Sequence, residues 1–316
     1  MMQGRFSEVA GPDGGTVRRA GEPLIGIGMP VYNCGEYIGQ AIESHLAQTF
    51  GDFELVITDN QSTDATEDVC RRYAAFDRRV RYIRNATNVG GPRNFRLAFT
   101  HSRGRYHKWS TADDWWAPKF LADAVAVLDR DPETVLVYPK TVMVDEAGNE
   151  TGRFEDSLHL RDDRPSNRFI RLYNTITLCQ AHLGLIRRDV MARTGLIGGE
   201  LASDIRFLAE LSLYGKFFVL PEYMFFRRFH VTSSSWNRSD MTRQGAYYAP
   251  RGSGFRFHDW RRYAALVQAV ARAPITPKER LRLVKYLVGL ATQQRGRLFR
   301  EITRMGKPDP KGLHIR

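Results

Sequence analysis

Apolar and polar positions follow two periods along the first 130 residues. Leu24 to Met29 is a short apolar run, a predicted strand, ending in Pro30 and the turn-like Tyr32-Asn33. From Gly35 to Gln48, apolar Tyr37, Ile38, Ala41, Ile42 and Leu46 recur at helical spacing. Phe53 to Ile57 reads as a strand that runs straight into the polar cluster Thr58-Asp59-Asn60-Gln61-Ser62. Asp64, with Glu67 three residues on, has capping-box spacing, and Ala65, Val69, Tyr73 and Phe76 keep the helical period. Val80 to Ile83 predicts a strand, Pro92 to Thr100 a helix, and Tyr106 to Trp109 another strand. Strand and helix alternate over short connections, so this half predicts an α/β sheet with mainly parallel strands.

Beyond it the alternation loosens. Thr134 to Tyr138 predicts a strand, and Val142-Met143-Val144 precedes the turn Asp145-Glu146-Ala147-Gly148. The charged, irregular stretch from Glu150 to Phe169 reads as a mobile loop. Glu200 to Tyr214 predicts a helix stopped by Gly215, followed by a strand from Phe217 to Leu220 that ends at Pro221. In the last 65 residues, Tyr263, Leu266, Val267 and Val270, then Leu281, Leu283, Val284, Leu287 and Val288, predict basic helices.

Charge sharpens that boundary. The net charge is +12, and from Gly252 to Arg316 fifteen Lys or Arg face four Asp or Glu, a local net charge of +11. The body is close to neutral. Such helices fit either a solvated cap on the body or contact with an anionic membrane surface. Nucleic acid is not the expected partner, because no recognisable module interleaves aromatics with bases. No run of 18 apolar residues occurs. Residues 1–21, Gly-rich and polar without an apolar segment, read as a disordered leader. Three separate cysteines (Cys34, Cys70, Cys179) form no CxxC pair and suit a reducing cytosol. The expected organisation is a leader at 1–21, a catalytic body at 22–251 with its nucleotide half ending near 116, and a basic helical region at 252–316. The expected location is cytoplasmic, with the tail peripheral to the inner membrane face.

Ligands of open α/β sheets bind beyond the carboxyl ends of the strands. Three such ends carry polar groups: Pro30-Val31-Tyr32-Asn33, Asp59-Asn60, and Asp113-Asp114. A single Asp there is more often a turn or helix cap. Adjacent Asp113 and Asp114 repel unless a cation or strong hydrogen bonds intervene. They fit a hard divalent ion bridging carboxylates to phosphates. They fit equally a solvated acidic loop before the helix at Pro118. Trp115 and Trp116 beside them could line a sugar pocket.

These segments resemble the family 2 glycosyltransferases, which have the glycosyltransferase-A-type fold. The likeness rests on Pro30-Val31-Tyr32-Asn33, Gln48-Thr49-Phe50, Glu54 to Asp64, Asn88-Val89-Gly90-Gly91 with Arg93-Asn94, and Thr111-Ala112-Asp113-Asp114. It extends to Gly184 to Arg188, Ser203-Asp204 and Arg227-Arg228-Phe229-His230. The resemblance implies a Rossmann-like, mainly parallel sheet flanked by helices, here with a C-terminal helical extension. It implies inverting transfer of a sugar from a nucleotide-diphosphate donor to an acceptor hydroxyl, assisted by Mn²⁺ or Mg²⁺. Pro30, Tyr32, Asn33, Asp59 and Asn60 would frame the nucleotide, although Asn60 stands where many members have a second Asp. Ala112 occupies the first position of the DxD-type motif, so Asp114 would be the chief metal ligand, with Asp113 on ribose or metal. Arg93, Arg227 and Arg228 would approach the diphosphate, with His230 near the metal. His182, Trp115 and Trp116 would lie on the acceptor side.

The resemblance makes Asp204 the general base, and its spacing from Leu201, Leu208 and Leu211 also puts it on the apolar face of its helix. A carboxylate placed so must be paired, for instance with Arg187 or Arg188, or face a cleft. Three other readings compete, one of them a nucleic-acid-binding protein that uses the basic tail. Gly26-Ile27-Gly28 begins like a dinucleotide fingerprint, but Val31 replaces its third glycine and the match falls inside a strand. A non-catalytic binding protein of the same fold would be favoured had Asp113, Asp114 or Asp204 been absent.

Overall fold

The computed structural model describes residues 21–156, 158–230, 247–248 and 256–304. Four parallel strands open the sheet: β1 (Ile25–Val31), β2 (Phe53–Asp59), β3 (Val80–Arg84) and β4 (Tyr106–Trp109). They are joined by α1 (Ile38–Leu46), α2 (Thr66–Phe76) and α3 (Gly91–His101). β5 (Trp115–Trp116) and α4 (Phe120–Arg130) lead to the long β6 (Thr134–Val144) and its hairpin partner β7 (Glu150–Phe154). Then come α5 (Pro165–Thr175), a 3-10 turn (Gln180–Leu183), β8 (Leu185–Arg187), α6 (Arg188–Ala192), α7 (Ser203–Leu211) and β9 (Lys216–Arg228). The strand order is β3-β2-β1-β4-β8-β6-β9-β5, with β7 beside β6. This is the mainly parallel α/β sheet flanked by helices that the sequence predicts.

The glycines of β1 explain the false dinucleotide match. A Cβ on Gly26 would lie 2.0 Å from the Arg103 carbonyl oxygen, and one on Gly28 would lie 3.0 Å from Ala98. They let the chain around α3 lie directly on the strand, a packing role and not a phosphate cradle.

Four expectations change. The Glu150–Phe169 stretch is a loop only in its middle: β7 extends the sheet by pairing with β6 up to Phe154, and Pro165 opens α5. β9 does not stop at Pro221 but runs thirteen residues to Arg228. The register against β6 jumps from Pro139↔Leu220 to Lys140↔Tyr223, so Pro221 sits in a bulge where no ladder donor is required. α7 is shorter than its apolar pattern, starting at Ser203 after Ala202, whose φ is 56°. Asp64 accepts from the Thr66 amide at 3.0 Å, but Glu67 pairs with Arg71 and Arg84, so no capping box closes.

The tail is helical: α8 (His258–Arg272), α9 (Pro277–Gln293) and α10 (Arg295–Thr303). Leu266, Val270, Leu283 and Leu287 join the body's buried core. The expected leader and the boundary near Gly252 lie outside the described residues.

Candidate functional site

β1, β2 and β4 run the same way, so Val31, Asp59 and Trp109 end at one rim of the sheet. β8 runs against β4, pairing Tyr106 with Arg187, which brings the chain before Leu185 to the same rim. The buried Lys108 bridges the two, donating to Leu183 O at 3.1 Å and Trp109 O at 3.2 Å.

Asp59 is fully buried and rigidly held. Its Oδ1 accepts the Ser62 amide at 2.8 Å and its Oδ2 the Tyr82 hydroxyl at 2.5 Å. Beside it, Asn33, with a φ of 51° that asparagine tolerates, accepts the Thr63 amide at 2.8 Å. Tyr32 stands 48% exposed at the strand end, and Pro30 is half-buried within β1. Asn60 has a role that an Asp could not fill. Its Nδ2 donates to Asn88 Oδ1 at 2.7 Å, while its Oδ1 accepts the Val89 amide at 2.8 Å. A carboxylate would set acceptor against acceptor, so the amide ties down the loop before α3.

α3 begins at Gly91, after Gly90 at φ 84°, with no acid in its first turn and Arg93 exposed there. A Cβ on Gly91 would fall 2.2 Å from the Tyr247 ring, so glycine here is what admits that aromatic.

Asp113 and Asp114 are neighbours with different surroundings. Asp114 is buried: Oδ1 accepts the Arg228 amide at 2.8 Å and Oδ2 the Thr111 hydroxyl at 2.5 Å. Burial first, then the charge of Asp113, pushes its carboxyl well above the ordinary range, against the pull of Arg227. Asp113 is more open, and its Oδ2 lies 3.0 Å from His230 Nε2. Carboxylate and imidazole thus meet at the end of β9. Burial foremost, and the charges of Asp113, Asp64 and Asp59 after it, push the Cys34 thiol up to about 12. One sulfur therefore senses both Asp59, at the end of β2, and Asp113, beyond β4.

On the β8 side, Asp204 sits half-buried in the first turn of α7. Its carboxylate, a ring nitrogen of His182 and Cys179 Sγ all lie within 4.8 Å of one another. His182 Nδ1 also bonds the Cys179 carbonyl oxygen. Burial lowers the basicity of His182, which Asp204 partly restores, while Arg227 opposes it. Arg227 thus acts on both Asp114 and His182, linking the two halves of the rim. Tyr247 and Tyr248 lie in the field of Asp204, and Tyr248 bonds the Ala202 backbone. No pattern in the sequence singled out this tyrosine pair, and its one local trace is Gly91, which leaves room for the Tyr247 ring.

Several expected roles do not survive the packing. Arg187 spends its guanidinium on the Leu128, Asp131 and Thr134 carbonyls, and Arg188 on Phe99 O, so neither pairs with Asp204. Arg228 is buried between Tyr37 and Trp115 and donates to Asp113 O, Glu146 O and Gln40 Oε1, so its guanidinium is tied into the protein at three points. Trp116 is a core residue between Phe120 and Phe225, with Lys108 Nζ 3.3 Å above its ring. Trp115 stacks on Phe226 at 5.2 Å and carries Arg228 as well, but it stays partly exposed.

Comparison with known proteins points the same way as the geometry. Residues 27–195 match the family model described as Glycosyl transferase family 2. The chain is 30% identical over 137 residues to the putative glycosyltransferase EpsE of Bacillus subtilis, covering 43% of this chain and 49% of that protein. An uncharacterized glycosyltransferase of Methanocaldococcus jannaschii is 30% identical over 136 residues, 42% of this chain and 47% of its own. The chain thus spans about half the length of these curated relatives. Among solved structures, Staphylococcus aureus TarS in complex with UDP-GlcNAc superposes with TM-score 0.62 at 17% identity, covering 81% of this chain and 69% of that one. A Pyrobaculum calidifontis mannosyltransferase in complex with GDP-Man and Mn²⁺ gives TM-score 0.50 at 17% identity, covering 90% of this chain and 85% of its own. At those identities the likeness establishes the fold.

Proposed function

Because the chain belongs to glycosyl transferase family 2, we propose that it transfers a sugar, with inversion, from a nucleoside-diphosphate donor to an acceptor hydroxyl. The products would be a glycoconjugate, polysaccharide or glycosylated metabolite. The reading rests on one observation above the rest. The Asp113–His230 pair and the Asp204–His182 pair stand on one sheet rim, with Arg227 acting on both sides.

Asp59, Tyr32 and Asn33 would receive the nucleoside. The acid-free start of α3, with Arg93, and the Arg227 guanidinium would face the diphosphate, where negative charge grows as the glycosidic bond breaks. Asp113 and His230 fit a divalent cation, because a carboxylate oxygen and an imidazole nitrogen 3.0 Å apart can exchange their shared proton for a metal ion. Both oxygens of Asp114 are already engaged, so the metal role passes from Asp114 to Asp113. Mn²⁺ or Mg²⁺ held there would neutralise the leaving diphosphate. Asp204 would take the acceptor's proton while that oxygen bonds the anomeric carbon. His182, kept weakly basic by burial, would orient the Asp204 carboxylate. The complexes of TarS with UDP-GlcNAc and of the mannosyltransferase with GDP-Man and Mn²⁺ support a nucleotide-sugar donor.

A thermal-shift panel of nucleoside-diphosphate sugars with and without Mn²⁺ identifies the donor, since a ligand at about 100 times its Kd stabilises by roughly 2.7 kcal/mol. Asp204→Asn should keep the donor's shift while turnover falls about 10²- to 10⁴-fold. Full turnover in that variant removes Asp204 as the base.

A further inference from the structure

A turn at Gln294 separates the two last helices, and their buried residues keep one helical phase across it. At their junction the Gln294 N–H donates to Leu290 O at 2.9 Å and the Leu298 N–H to Gln294 O at 3.2 Å. Residues eighteen apart then lie five turns along one line, at 3.6 residues per turn. Leu281 and Phe299 form such a pair, Val284 and Ile302 another, and Val288 falls between the two lines. All five are exposed, from 45% for Val284 to 66% for Phe299. The opposite side of the rod carries Leu283, Leu287, Leu298 and Glu301, all buried. The rod therefore has two apolar faces, and among the described residues only the inner one packs on the protein.

Charge sorts by face in the same way. From 277 to 304 the only acids are Glu279 and Glu301, and both are buried. Glu279 binds Arg164 and the Ser166 amide, and Glu301 accepts from the Asp259 and Trp260 amides. Lys278, Lys285 and Arg295 are exposed, two flanking the outer stripe and Arg295 within it. The outer face presents aliphatic and aromatic groups among cations, with no carboxylate.

We propose that this outer face of α9 and α10 docks on an anionic lipid bilayer, lying in the interface with its apolar stripe among the acyl chains. Lys278, Lys285 and Arg295 would meet the headgroup phosphates. No helix of the described residues is long and apolar enough to cross a membrane, so the contact is lateral. A second copy of the chain fits poorly, because two such faces would bring cations together without an acid between them. Nucleic acid fits poorly too, because leucine, valine and isoleucine at the centre of the face offer a phosphate backbone nothing.

Co-sedimentation of the full chain with vesicles tests this, and needs neither donor nor turnover, so it succeeds or fails apart from the transferase reading. Phosphatidylglycerol–phosphatidylcholine vesicles should retain at least about tenfold more protein than pure phosphatidylcholine vesicles, and added salt should erode the difference. Val284→Glu with Val288→Glu, both at exposed positions, should abolish retention while Tm is unchanged. Lys278→Gln with Lys285→Gln should weaken retention on the anionic vesicles alone. Equal retention on both vesicle types, retention by the double Glu variant, or a dimer or RNA complex that this variant dissolves would each overturn the proposal.

Discussion

Asp113 and Asp114 show how far adjacent residues of one type can diverge. The sequence offers two carboxylates side by side, and nothing local says which faces the ligand. The decision comes from β9, a hundred residues away: the amide of Arg228 claims Asp114 Oδ1, and His230 two residues later meets Asp113. Asp113→Ala should therefore erase the Mn²⁺-dependent part of the donor's thermal shift and leave the unliganded Tm in place. Asp114→Ala should do something different, stranding the Arg228 amide and the Thr111 hydroxyl. An unsatisfied buried group costs about 1–3 kcal/mol, so the unliganded Tm should drop by several degrees. A scan of both variants with and without Mn²⁺ separates the roles, and equal effects on Tm would refute the division. The same long-range logic hid the fates of Arg228 and Trp116. A basic or aromatic residue near a motif reads as functional until its partners are known. The place of Asp59 at the end of β2 was legible from a clean local pattern, whereas α7 opens beside Asp204 three residues later than its apolar period predicts.

Elements were legible where their apolar period was clean and their partners were near in sequence. β1, β4 and α3 match their patterns within a residue or two, whereas β7 carries no apolar signal and exists because β6 offers it an edge. Helix α9 shows an element borrowing a partner far along the chain. Thr276 accepts the Glu279 amide at 3.3 Å in a normal cap, yet the Glu279 side chain does not return to close a box. It reaches across to α5, accepting the Ser166 amide at 3.0 Å and Arg164 at 2.9 Å, and so caps a helix of the body. Burial raises this carboxyl, but the Ser166 and Arg164 bonds outweigh it and hold it down at about 2, against an ordinary 4.5. A depressed folded value stabilises above the unfolded value, and that contribution fades as pH falls from about 4.5 towards 2. Glu279→Gln should thus cost about 1.5–3 kcal/mol at neutral pH. The gap from the unaltered protein should narrow as the melt is moved to pH 3. A gap that stays constant with pH would show that the carboxylate's charge is not what holds the helices together.

At the scale of the molecule, the shift in composition near Gly252 suggests an appendage that could be removed, and the packing argues otherwise. Leu266, Val270, Leu283 and Leu287 are buried in the common core, and each such side chain contributes about 1.5–3 kcal/mol of burial. Arg272 of α8 meets Glu210 at 2.5 Å, a body carboxylate with no exposure at all, beside Arg206 at 2.9 Å. Removing the tail would uncover the faces of α5 and α7 and take away one of the two cations that hold Glu210. It would also strip the cap from α5. A chain ending before Arg256 should therefore melt more than about 10 °C lower or aggregate, since a domain of this size loses roughly 2–4 °C per kcal/mol. The donor's thermal shift would then fail for want of a folded body and not for want of contacts, because every proposed donor residue precedes the cut. Adding back residues 256–304 as a separate polypeptide should restore solubility and the shift together. A truncated chain that stays folded at the original Tm would show instead that the basic helices are a detachable module, and that their buried contacts add little to the body.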